Sequence, residues 1–109
     1  MLEALFGTIN RERVLLYIFA REEGYPREVA RYFATDLRAI QNQFEKLEAG
    51  GVLYSRSVGN TRLYAFNPRY PFLDELKSML EKALTVFPES ERERLLSGRR
   101  RPRRAGKPI

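Results

Sequence analysis

One short stretch constrains this chain more than any other. Leu37, Ile40, Phe44 and Leu47 recur at spacings of three, four and three, the pattern of a helix with one buried stripe. Asp36 is suited to cap that helix and Gly50-Gly51 to stop it. Immediately afterwards the chain turns strand-like. Val52–Arg56 and Thr61–Phe66 read as two strands, with Val58-Gly59-Asn60 as a tight turn between them, because Gly and Asn tolerate positive φ. Asn67-Pro68 and Tyr70-Pro71 then end the hairpin. A one-sided helix running straight into a two-stranded hairpin needs further helices to complete its core.

The residues upstream supply them. Gly7 separates the apolar opening, which includes Leu2, Leu5 and Phe6, from a helix that Thr8 or Asn10 can cap. Glu12 lies in its first turn, and Val14, Leu15, Ile18 and Phe19 form its apolar face. Gly24 is expected to end it. Pro26 suits the first turn of a third helix, since its missing N–H would be unpaired there anyway. That helix is expected to turn Val29, Ala30 and Phe33 inward, with Ala34-Thr35 connecting it to Asp36.

A last long helix is predicted from about Phe72 to Phe87. Leu73, Leu76, Leu80, Ala83 and Phe87 form one apolar row, and Phe72, Met79 and Val86 a second. A helix lying on one domain needs only about a 100° stripe, so two rows predict two neighbours. Leu2, Leu5, Phe6, Leu73, Leu76, Leu80, Ala83 and Phe87 are therefore the expected dimerisation residues. The domain is placed at 1–87. Residues 88–109 are expected to be a basic, flexible tail, although Glu89–Leu96 has the makings of a short charged helix.

Composition narrows the chemistry. The 109 residues include neither Cys nor His. Disulfides, thiol nucleophiles and thiolate metal sites are thereby removed, as are the commonest general base and zinc ligand. The remaining acids, among them Glu3, Glu12, Glu45 and Glu81, lie beside Arg or Lys on helical faces and read as solvated surface. No enzyme and no cofactor are expected. The opening residues lack the basic start of a signal peptide, and no run approaches the roughly 20 apolar residues that cross a bilayer; a cytoplasmic, nucleoid-associated address is expected. The net charge is +6, but residues 1–87 hold 12 basic and 11 acidic side chains, a balance of +1. Any polyanion must therefore be met by local arrangement in the domain, and by bulk charge only in the tail.

With the stripe of the 37–47 helix buried, its opposite side presents Arg38, Gln41, Asn42 and Glu45. Arg pairs with guanine and Gln or Asn with adenine in the major groove of DNA. Gln41-Asn42-Gln43 also supplies planar amides where Lys and Glu usually dominate an exposed face. In the hairpin, Arg56, Asn60, Thr61 and Arg62 are donors suited to phosphates or the minor groove, and Arg27 and Arg31 are placed to hold the backbone. The expected fold class is mainly α with a β-hairpin wing: a winged helix-turn-helix domain plus a C-terminal dimerisation helix.

The run from Asp36 to Pro68 resembles the recognition helix and wing of ArsR-like winged helix-turn-helix transcriptional regulators. Leu47-Glu48-Ala49-Gly50-Gly51-Val52 and Gly59-Asn60-Thr61 carry the resemblance, which extends from about Asn10 to Leu84. It implies a homodimer joined by its terminal helices. The sequence departs from metal-sensing members, whose Cys and His ligands it lacks, and from the frequent glycine in the turn before Asp36. The expected function is that of a sequence-specific double-stranded DNA-binding regulator, repressor-type and homodimeric. In the tail, Arg99, Arg100, Arg101, Arg103, Arg104 and Lys107 suit a minor groove, an acidic protein partner, or mere solubility. Small winged-helix proteins of this kind also resemble antitoxin partners of nucleotidyltransferase-type toxins, which leaves an adaptor or antitoxin as the alternative.

Overall fold

A computed structural model describes residues 2–98. In chain order the elements are α1 (Glu3–Phe6), α2 (Ile9–Arg21), β1 (Glu23–Gly24), α3 (Pro26–Tyr32), α4 (Leu37–Ala49), β2 (Leu53–Val58), β3 (Thr61–Phe66), α5 (Leu73–Val86) and α6 (Glu89–Ser97). The class is mainly α with a hairpin wing, as expected, and the antiparallel sheet has three strands in the order β1-β3-β2.

Helix α2 is the axis of the core. The Thr8 side chain accepts the Arg11 N–H at 3.0 Å, satisfying one of the orphan donors of the first turn. Val14, Leu15, Leu16 and Ile18 are all at most 2% exposed. The helix ends at Arg21 because Glu22 takes a left-handed conformation, φ 76°, and not because of Gly24. Gly24 serves a different need. It sits in β1 opposite Tyr64, and a Cβ there would lie 2.9 Å from Tyr17 Cε1. Tyr17 is buried, so its ring has little room to yield.

Two polar residues expected at the surface are also in the core. Glu12 is only 5% exposed and its carboxylate accepts the Leu2 N–H at 3.1 Å, which ties the α1 end of the chain to α2. Gln43, the inward member of the amide run, accepts from Arg11 Nε at 2.8 Å; Arg11 Nη1 donates to the Phe6 carbonyl at 2.9 Å. Burial of these groups is tolerable because they are hydrogen-bonded.

Helix α3 starts at Pro26, with Glu28 accepting the Tyr25 N–H at 3.1 Å. Val29 and Ala30 are buried, and Phe33 is half-buried. The turn to α4 works without glycine: Ala34 adopts φ 52°, and Thr35 N–H donates to the Ala30 carbonyl at 2.9 Å. Asp36 caps α4 through the Ala39 N–H at 2.9 Å. Three of the four stripe residues land as predicted, with Ile40 and Phe44 fully buried and Leu47 nearly so, while Leu37 is only partly buried against the core. Phe44 meets Tyr64 of β3 at 4.5 Å between ring centroids.

The domain does not end at residue 87. Helix α6 folds back on α2 and buries Leu95 in the common core. Arg21 fastens it, donating from Nε to the Leu95 carbonyl at 2.8 Å while stacking on Tyr17 and Tyr32. Arg94 lies 4.2 Å from the Tyr32 centroid. A charged helix with two leucines is thus recruited by an aromatic–guanidinium contact that hydropathy does not register.

Candidate nucleic-acid interface

The polar side of α4 follows from its capping and stripe. Once Ile40, Phe44 and Leu47 point inward, Arg38, Asn42 and Glu45 are left exposed and Gln41 half-exposed. Facing this helix is the hairpin, whose register pairs Val58 with Thr61, Ser57 with Arg62, Arg56 with Leu63 and Ser55 with Tyr64. Gly59 at φ 61° makes the tight turn possible. Strand side chains alternate between faces, so Ser55, Ser57, Arg62 and Tyr64 share one side of the hairpin, and Arg56 goes to the other.

On the first side the three elements enclose a groove of about 280 Å³. Arg27 reaches it from α3, Gln41 and Glu45 from α4, and Asn60, Thr61 and Arg62 from the wing. Its floor is apolar and aromatic, from Pro26, Leu37, Tyr25 and Tyr64. Arg62 is not loose. Its Nε donates to Ser55 Oγ at 2.8 Å and its Nη1 to Ser57 Oγ at 3.2 Å. Ser55 in turn donates to Glu48 Oε2 at 2.7 Å. Thr61 donates to the Val58 carbonyl at 3.0 Å, so its hydroxyl proton is spent within the turn and its oxygen remains an acceptor. The Tyr64 hydroxyl is pushed up from its ordinary value by burial first, then by the nearby Glu48 and Glu45 carboxylates; it stays neutral.

The structure does not gather every residue predicted from sequence. Arg56 lies outside the groove: its guanidinium stands 3.7 Å from Glu23 of β1 on the opposite face of the sheet from Arg62. Arg31, Arg38 and Asn42 are exposed but stand outside the groove wall. Glu48, Ser55 and Ser57 were not among the expected site residues, although a two-residue turn at Gly59-Asn60 already sets Ser57 opposite Arg62. Arg99, Arg100, Arg101, Arg103, Arg104 and Lys107 lie outside the described residues.

The expected dimerisation row needs a larger correction. Leu80 and Ala83 are 0% and 5% exposed within a single copy of the chain, so they belong to its own core. Leu2, Phe6, Leu76 and Phe87 are partly buried against the same core. Among the described residues the most exposed large apolar side chains are Leu5, 69%, Val86, 64%, and Phe72, 61%, with Ile9 and Tyr54 exposed to a lesser degree. Phe72, the N-cap of α5, and Val86 belong to the second apolar row expected between Phe72 and Phe87.

No family model matches the sequence, and no curated protein sequence matches it. The fold, however, is similar to solved structures of Lactococcus lactis ZitR, described as a zinc-responsive MarR family member. A double mutant of ZitR in apo form shares 19% identity over 86% of this chain and 79% of that one, with a TM-score of 0.56. A second structure of the double mutant shares 17% over 83% and 68%, with a TM-score of 0.51. At these identities the likeness shows the winged-helix fold. Among the described residues no helix is long and apolar enough to cross a membrane.

Proposed function

We propose that this chain is a sequence-specific double-stranded DNA-binding transcriptional regulator, a homodimeric repressor with no enzymatic role, working in the cytoplasm at the nucleoid. The observation that carries the reading is the groove in which one face of α4, the start of α3 and the wing converge. Laid in a major groove, α4 offers the Gln41 amide to adenine and the Glu45 carboxylate to the amino group of cytosine, with Arg38 and Asn42 along the same face. Arg27 and the wing residues Asn60, Thr61 and Arg62 hold the phosphate backbone on either side, and Arg31 extends that hold along α3. The motifs around Leu47-Glu48 and Gly59-Asn60-Thr61 support an ArsR-like affiliation, and the ZitR likeness supports the shared fold. ZitR's response to zinc does not transfer through thiolates or imidazoles, since this chain has neither.

Selection from random oligonucleotides with the full chain tests the proposal. Recovery of one strongly preferred duplex supports it, and equal retention of all sequences argues against it. The exposure of Leu5, Phe72 and Val86 favours a protein neighbour as well, which we assign to a second copy. Stable co-purification with an enzyme, combined with weak DNA affinity, would instead favour the adaptor or antitoxin reading. The basic residues from Arg99 to Lys107 are proposed to bind further phosphates. Truncation after Gly98 should then keep the preferred sequence and flatten the plot of log affinity against log salt by about 0.9 for each phosphate no longer neutralised.

A further inference from the structure

We infer that Glu48, Ser55 and Ser57 are positioning residues that hold the wing's Arg62 at a fixed orientation beside α4, for contact with a DNA phosphate. The inference rests on reading the groove as a DNA interface. An exposed arginine at a hairpin tip has wide rotamer freedom, and immobilising it on binding costs affinity. Arg62 has already surrendered that freedom. Two of its N–H groups are engaged, Nε with Ser55 at 2.8 Å and Nη1 with Ser57 at 3.2 Å, and the rest of its donor fork is left for a ligand.

The direction of the hydrogen bonds explains why Glu48 matters. A serine hydroxyl has one proton to give. Glu48 takes it, at 2.7 Å, which leaves the lone pairs of Ser55 facing the Arg62 Nε–H. A charged acceptor makes this the stronger arrangement, and the two bonds polarise each other. The carboxylate reaches the guanidinium through the hydroxyl rather than directly. Arg62 is thereby aimed without being neutralised by a paired acid, as Arg56 is by Glu23 at 3.7 Å. Because Glu48 lies in α4, the same chain of bonds fixes the wing's cation relative to the base-reading face one and two turns earlier, at Glu45 and Gln41.

The full-length protein is titrated with the duplex recovered by selection and with a mixed-sequence duplex, at three salt concentrations. Arg62→Ala is expected to weaken both about tenfold and to reduce the salt slope by about 0.9. Ser55→Ala and Glu48→Ala keep the arginine, and each is expected to weaken both duplexes about two- to tenfold. Ser55→Thr, which restores the hydroxyl, should recover wild-type affinity. In the Arg62→Ala background, Ser55→Ala should add no further loss. Wild-type affinity for Ser55→Ala and Glu48→Ala alongside a weakened Arg62→Ala overturns the positioning role. So does a full additive loss in the double variant, or an Arg62→Ala protein that binds like wild type. A wild-type protein that binds neither duplex overturns the DNA reading itself, a distinct failure.

Discussion

Helices α4 and α5 are of nearly equal length, 13 and 14 residues, and rest on the same core, yet they differ in what they leave exposed. Opposite its buried stripe, α4 carries an arginine, amides and a carboxylate, side chains that water satisfies and that a polar ligand can satisfy again. Beside Leu80 and Ala83, α5 carries Val86, with Phe72 at its N-cap, both more than half exposed. The first face is complete in solution and changes partner by exchanging hydrogen bonds. The second is incomplete in solution and gains by excluding water, at about 25 cal/mol per Å² of apolar surface covered. On the proposed function, the first surface would read DNA and the second would join another copy.

The contrast can be broken most severely from inside α5. Leu80→Ala empties a fully buried site and should cost about 2–5 kcal/mol of folding stability in urea titration, whereas Val86→Ala should cost under about 0.5 kcal/mol. Equal costs would mean that the two rows had been assigned wrongly. Next in size, Phe72→Ser with Val86→Ser should leave folding stability within about 1 kcal/mol but weaken self-association by about 2 kcal/mol or more, read as a shift to monomer in sedimentation. A wild-type protein already monomeric at tens of micromolar removes the joining surface altogether. On α4, Gln41→Ala should cost about 1–3 kcal/mol on a preferred duplex and much less on mixed sequence, the pattern expected of base reading; an even loss on both would reduce Gln41 to a backbone contact. The smallest effect concerns the turn that aims α4. Ala34 holds φ 52°, a conformation that suits glycine better, so Ala34→Gly should stabilise the fold by about 0.5–1 kcal/mol, visible as a raised midpoint in thermal melting.

What the sequence discloses divides along the same line. The stripe from Leu37 to Leu47, its Asp36 cap and the hairpin around Gly59-Asn60 are local signals, set by neighbours within four residues, and they reappear in the structure where they were expected. The two rows of α5 were legible as two rows. Which of them faced the core was not, because that depends on where α2 and α6 lie, and α6 is brought in by Arg21 meeting Tyr32 and the Leu95 carbonyl rather than by an apolar period. Glu12 and Gln43 escaped for a related reason: a buried polar side chain is identified by a distant partner, here the Leu2 N–H and Arg11. The placement of Arg56 beside Glu23 follows from a strand pairing that no local pattern announces. On the candidate interface, residue types and helical face were readable, while the bonds that tie Arg62 to Ser55 and Glu48 needed the register.

The two-residue strand β1 bears on how this molecule assembles in time. Its partner is remote, Glu23 pairing with Ala65, whereas β2 and β3 close on each other across Gly59-Asn60. A hairpin of that kind zips in microseconds. A pairing that spans some forty residues must await the helices between them, because loop-closure entropy has to be met before the contact gives anything back. The wing therefore has the means to form early, and its attachment to the end of α2 is expected to follow. Damage at Gly24 or Glu23 should accordingly appear in the rate at which the folded protein comes apart, with the rate at which it forms left almost untouched.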